Sequence, residues 1–209
     1  MPSTAFAAAD FRVFEAKGFP RRMGEIRTRL RPKLEMLGQR LLPEVSRAIG
    51  AEAYAHVARH ARRTVNPPED TWVAFASDRR GYKKHCHFKV AISRNAVRFL
   101  FEVGPEHADK KRWAAAWKKS APRLGPVLNR MKGLAYFKNE HDEQPAALLA
   151  DLSVEELAAL GGEILRTRGG QFVVGRVVAA AEAARWTEAQ YRTAALETVR
   201  ALSPLCRLM

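Results

Sequence analysis

Cysteine is scarce in this chain: Cys86 and Cys206 are the two present among 209 residues. They stand far apart among unlike neighbours, which argues against a disulfide framework and fits reduced thiols in a cytoplasmic protein. They can pair only if folding brings them together. Long apolar runs are also missing. No stretch reaches the ~18 uninterrupted apolar residues that a spanning helix needs, so no membrane-crossing helix is expected. The opening stretch, Met-Pro-Ser-Thr-Ala-Phe-Ala-Ala-Ala-Asp-Phe, has no basic lead and Asp10 interrupts it early, so no targeting segment is expected. No P-loop, dinucleotide fingerprint, nucleophile elbow or carboxylate-rich two-metal pattern occurs, so the sequence leaves enzymatic status open. Acidic residues are the minority charge, with 22 Asp and Glu against 36 Lys and Arg and a formal charge of +14. A surface of that sign attracts phosphates and disfavours cationic partners.

What is present suits one α+β domain over residues 1–209, with helices packed on a largely antiparallel sheet. From Met23 through Ile26, Leu30, Leu34, Leu37 and Leu41 to Val45, apolar residues recur at helical spacing. Pro20 suits the first turn and Gly50 the stop, while Pro32 and Pro43 predict kinks or breaks. The period then changes to two in 71–76, 88–93 and 97–103, predicting an antiparallel meander. A second helix is expected over 107–132, burying Trp113, Trp117, Leu124, Val127, Leu128 and Met131, with a break at Pro122 and a strongly basic exposed side. A short strand is expected at 134–137 and another at 171–178. Ser153 with Glu156 and Thr187 with Gln190 form the capping boxes of two further helices.

The stretch from His56 to His87 concentrates titratable and cationic chemistry: His56, His60, His85 and His87 are four of the chain's six histidines. If 55–63 is a strand, His56, His60 and Arg62 share one face and Arg63 lies on the other; if it is a helix, His56, His60 and Arg63 cluster. Guanidinium forks match phosphate or carboxylate oxygens. Asn66-Pro67-Pro68-Glu69-Asp70 reads as a stiff loop that can fix Asn66 or Asp70 beside a ligand. Arg79-Arg80-Gly81-Tyr82-Lys83-Lys84 reads as an anion-gripping loop whose tyrosine can stack on a base. For catalysis, His56 or His60 is the candidate acid or base, with Asp70 orienting it. A metal at His85, Cys86 and His87 is disfavoured by the cations around it and by the opposite directions of adjacent strand side chains, so no metal or cofactor is expected.

These same runs, H-V-A-R-H-A-R-R-T-V-N-P-P-E-D-T-W-V-A-F-A followed by R-G-Y-K-K and H-F, resemble the hallmark of the YktB-like family of bacterial proteins. The resemblance extends upstream through F-x-V-F-x-x-x-G-F and I-R-T-R-L-R-P-K-L-E-M-L-G, and covers nearly the whole chain. It implies an α+β fold of the YktB type. It assigns no reaction, cofactor or partner, so it transfers no catalytic residue. The positions matching its pattern are His56, His60, Arg62, Arg63, Asn66, Asp70, Trp72, Arg80, Gly81, Tyr82, Lys83, Lys84 and His87; His85 and Cys86 fall outside it.

The reading that follows is a module binding a phosphate-bearing anion, either a nucleotide-like molecule or a nucleic-acid strand, through His56, His60, Arg62, Arg63, Asn66, Arg80, Tyr82, Lys83, Lys84 and His87. One alternative is an enzyme acting on a small phosphorylated or carboxylated substrate. Another is a structural module whose basic strip meets an acidic protein surface.

Overall fold

The computed structural model describes residues 3–61 and 63–208. Its first layer is helical: α1 (Ala8–Phe11), α2 (Phe19–Glu25), a π-helical turn at Ile26–Leu30, and α3 (Arg31–Ile49). The apolar stripe read from the sequence is buried along its length, from Met23 to Val45. Pro20 opens α2, and Gly50 closes α3 in the left-handed region at φ +75°. Pro32 falls in the first turn of α3, directly after the widened π turn has already changed the hydrogen-bond register. Pro43, in contrast, sits inside a helix that runs on past it, because Leu37, Leu41 and Val45 around it are held in the core.

One seven-stranded antiparallel sheet follows, in the order β1-β2-β3-β4-β7-β5-β6. The expected meander is β2 (Asp70–Ala76), β3 (His87–Ser93) and β4 (Ala96–Val103), and β1 (Tyr54–Val57) pairs outside β2. The helix α4 (Lys110–Asn129) leads to β5 (Ala135–Phe137) and β6 (Ala147–Leu148). Two short helices, α5 (Val154–Leu160) and α6 (Glu163–Arg166), precede β7 (Phe172–Ala179), which inserts between β4 and β5. At Gly175 a Cβ would collide with the Phe99 carbonyl oxygen, so glycine lets β7 lie tight against β4. The chain ends in α7 (Ala180–Ala183) and α8 (Glu188–Cys206). Both predicted capping boxes form, with Ser153 Oγ 3.1 Å from the Glu156 amide and Thr187 Oγ1 3.3 Å from the Gln190 amide.

Two expectations for α4 are corrected. The break at Pro122 does not occur, and Pro126 is also accommodated, because Trp113, Trp117, Ala121, Leu124 and Leu128 anchor one continuous buried stripe. Val127 is 50% exposed; it lies about 100° around the helix from buried Leu128 and points away from the core.

The two faces of the sheet differ in chemistry. Val73, Phe75, Val90, Ile92, Val97, Phe99 and Phe101 point to the side covered by helices and join the main core. On the reverse face the same strands present Asp70, Trp72, Lys89, Arg98 and Glu102, and of these only Trp72 is not buried. No helix among the described residues is long and apolar enough to cross a membrane.

Candidate functional site

A cleft of about 950 Å³ opens over the reverse face along the edge strand β1. Its walls come from the end of β1 with the turn after it, from the loop between β2 and β3, and from the start of α3. Trp72, Tyr82, His87 and Glu102 form its floor, and Glu140 and His141 close one end.

Neither alternative weighed for 55–63 holds among the described residues: β1 stops at Val57 and no helix follows it, so His56 and His60 share neither a strand face nor a helix face. They reach the cleft by different routes. His56 points inward from β1 and its Nε2–H donates to the Asp78 carbonyl oxygen at 3.0 Å. Its Nδ1 has no protein partner among the described residues. His60 adopts φ +51°, a left-handed conformation uncommon outside glycine, which sets its ring edge-on to Trp72 at 5.3 Å with Nε2 3.2 Å from Thr71 Oγ1. Burial lowers the pKa of both rings, that of His60 to about 4, so both are neutral at pH 7. They offer a donor or an acceptor, not a charge.

The loop between β2 and β3 is built around Asp78, whose Oδ1 accepts the Arg80 amide at 2.8 Å and whose Oδ2 lies 3.4 Å from His85 Nε2. This brings Tyr82 under His56, with its hydroxyl accepting from Trp72 Nε1 at 2.9 Å. Burial raises the Tyr82 pKa to about 12, so the phenol keeps a proton it can donate.

Beneath this floor lies an ionic network. His87 Nδ1 faces the His85 carbonyl at 3.0 Å and Nε2 faces Glu102 Oε2 at 3.1 Å, so the ring is held between two oxygens. Lys89 Nζ lies 3.2 Å from Glu102 Oε2, against Glu140 Oε2, and 4.7 Å above the Trp72 ring. Burial alone would raise the Glu102 carboxyl, but Lys89 and His87 hold it well below the usual carboxylate range. Burial lowers the Lys89 ammonium, against the pull of Glu102 and Asp70. Arg98 binds Asp70 Oδ2 at 2.5 Å and the Glu140 carbonyl at 2.8 Å, and His141 Nδ1 meets the same Asp70 oxygen at 2.9 Å. Burial would raise Asp70 as well, but the His141 hydrogen bond and the Arg98 charge keep it lowered.

Of the residues expected at the site, His56, His60, Arg63, Arg80, Tyr82, Lys83 and His87 line the cleft. Exposed Asn66 and Lys84 do not, and Arg62 lies outside the described residues. Lys83 is tied to Glu106 at 2.9 Å. Asp70 does not orient His56 or His60; it sits below the floor and orients His141, and Arg98 reaches it from β4 across the intervening β3. His85, Cys86 and His87 turn to Asp78, Cys206 and Glu102 respectively, so they converge on no common point. Arg79, read from the sequence as part of the anion-gripping loop, also lines the cleft, whereas sequence reasoning missed Arg31, Arg59 and His141 in the lining and the whole Lys89–Glu102–Glu140 network. Charged residues at alternate strand positions were the available signal for that network. Arg59, Arg63 and Arg79 have no carboxylate partner among the described residues, whereas Arg31 pairs with Glu35 at 2.9 Å.

Residues 6–206 match the family described as a domain of unknown function, DUF1054. The chain is 31% identical to a UPF0637 protein of Shouchella clausii over 208 residues, covering 100% of this chain and 96% of that one. It is 32% identical to a UPF0637 protein of Bacillus cytotoxicus, covering 98% and 97% of the two chains. A UPF0637 protein of Staphylococcus epidermidis is 34% identical over 85% of this chain and 86% of its own. The chain therefore belongs to the DUF1054 family of bacterial proteins, in agreement with the YktB-like pattern in its sequence.

Proposed function

We propose that the cleft binds a phosphate-bearing, nucleotide-sized ligand. The observation that carries this reading is the set of three guanidinium groups, Arg59, Arg63 and Arg79, lining a concave site without carboxylate partners among the described residues. Forked donors of this kind match phosphate oxygens, and the Trp72 and Tyr82 rings below them offer a surface for a planar base. The volume of about 950 Å³ falls in the usual range for small-molecule sites and is small for a duplex. Intrinsic fluorescence should report binding, because Trp72 lies on the floor. Titration with nucleoside monophosphates should quench it, and Arg59→Ala, Arg63→Ala and Arg79→Ala together should weaken binding at least tenfold. An unchanged affinity in that triple variant would refute the reading.

A second reading, a phosphate-ester enzyme, is favoured by His56 alone. The ring lines the cleft, its pKa is lowered by burial, and with Nε2 engaged by the Asp78 carbonyl its Nδ1 is left as an acceptor for a proton. In that case His56→Ala should abolish turnover of a phosphomonoester while leaving binding within a few fold. Absence of any turnover across a panel of phosphomonoesters would leave binding as the function.

A further inference from the structure

The cleft does not account for most of the excess charge. Between residues 110 and 139 the chain contains nine Lys and Arg and no Asp or Glu. This segment is α4 and what directly follows it, away from the cleft lining. Trp113, Trp117, Ala121, Leu124 and Leu128 bury one stripe of the helix, and that fixes what the opposite side shows. At about 100° per residue, Arg112, Lys119, Arg123 and Arg130 fall within about 40° of one another, and Lys111 and Lys118 form a second row about 100° away. All six are exposed. None has a carboxylate within 4 Å among the described residues, although surface Arg elsewhere is commonly paired, as in Arg47–Glu44, Arg176–Glu197 and Arg200–Glu44. The acids bordering α4 are engaged elsewhere: Asp109 caps its first turn, Glu156 caps α5, and Glu163 pairs with Arg166.

The geometry points to α4 as a docking surface for double-stranded DNA, bound through its phosphates and without sequence preference. From Arg112 to Arg130 the main row spans about 27 Å, comparable to about eight phosphates along one strand. The second row lies around the helix, so cations face both strands when α4 lies along the major groove, whose width of about 12 Å admits a helix. A-form RNA has a major groove too narrow for this approach. An anionic membrane fits less well: the apolar stripe is already spent in the core, and Val127 is the one large apolar residue of the helix that is half exposed.

Fluorescence anisotropy of the full chain with a labelled duplex of about 20 base pairs tests this, repeated on two unrelated sequences and across a salt series. The expected result is sequence-independent binding whose affinity falls steeply with salt. Arg112→Gln, Lys119→Gln, Arg123→Gln and Arg130→Gln together should weaken it at least tenfold and reduce the salt slope by about 3–4. Lys111→Gln with Lys118→Gln, a milder pair, should reduce the slope by about 2. The Arg59, Arg63 and Arg79 triple variant should bind duplex normally, so this surface and the cleft fail or survive separately. Wild-type affinity in the four-site variant, tighter binding to duplex RNA, or binding to anionic phosphatidylserine vesicles with none to DNA would each overturn the proposal.

Discussion

The two faces of the sheet are made by the same strands and hold together by different physics. On the helix-covered face, Phe99, Phe101, Val73 and Val90 are buried by apolar contact, which is nondirectional and tolerates volume-conserving exchange. On the reverse face, Lys89, Arg98, Glu102 and Asp70 are equally buried but depend on partners at specific distances. Removing one partner from such a network strands a charge, whereas removing the whole network need not destabilise. The charged face is costly to bury, and it is also the face on which the cleft is built.

The largest expected effect follows from that difference. Lys89→Met should destabilise the fold by about 3–5 kcal/mol, because Glu102 and Glu140 lose the ammonium between them. Combining it with Glu102→Gln and Glu140→Gln should recover much of the loss in a denaturant titration. If the triple variant is less stable than Lys89→Met, the network is not acting as a coupled charge set. A conservative exchange on the other face, Ile92→Val, should cost only about 0.5–1.5 kcal/mol.

A second expectation concerns the thiols. Cys86, just before β3, and Cys206, at the end of α8, have Sγ atoms 2.8 Å apart, so folding does bring them together. Hydrogen bonding with Cys206 lowers the Cys86 thiol pKa, so Cys86 is the thiol expected to react first with a peroxide. That attack breaks the peroxide O–O bond, giving a sulfenic acid at Cys86 and one water; the Cys206 thiol then attacks the sulfenic sulfur, the S–OH bond breaks, and a disulfide and a second water result. Thiol titration of the unfolded protein should find two reactive groups before hydrogen peroxide treatment and none after it, with full recovery by dithiothreitol. Loss that dithiothreitol does not reverse would indicate overoxidation instead.

The smallest effect is a titration. Burial lowers His60 to about 4 from 6.5, so between those values the unfolded chain takes up a proton that the folded chain refuses. This contribution to stability is present above pH 6.5 and is lost as pH falls towards 4. NMR titration of the His60 ring should show a midpoint well below 6 in the folded protein. A midpoint at or above 6.5 would mean that the ring is not held against Trp72 as described.

The apolar face was legible because alternation names its residues directly: Val97, Phe99, Phe101 and Val103 could only be core. The charged face was not, since the same alternation reads Lys89, Arg98 and Glu102 as solvent-facing polar positions. Lys89 and Arg98 meet the loop carrying Glu140 and His141, which lies far along the chain and has no local sequence signal for its position. His56 and His60 were legible from composition. The backbone that delivers them was not, because a single left-handed residue at His60 turns the chain where a strand or helix was expected. Arg59, next to that turn, was missed for the same reason.

The most direct test of the cleft is calorimetric comparison of a nucleoside monophosphate with its parent nucleoside on the wild-type chain at low salt. Binding of the monophosphate alone, weakened as salt rises and lost in the Arg59, Arg63 and Arg79 triple alanine variant, is the predicted result. Equal binding of nucleoside and monophosphate, or heat from neither, would contradict a phosphate-gripping cleft.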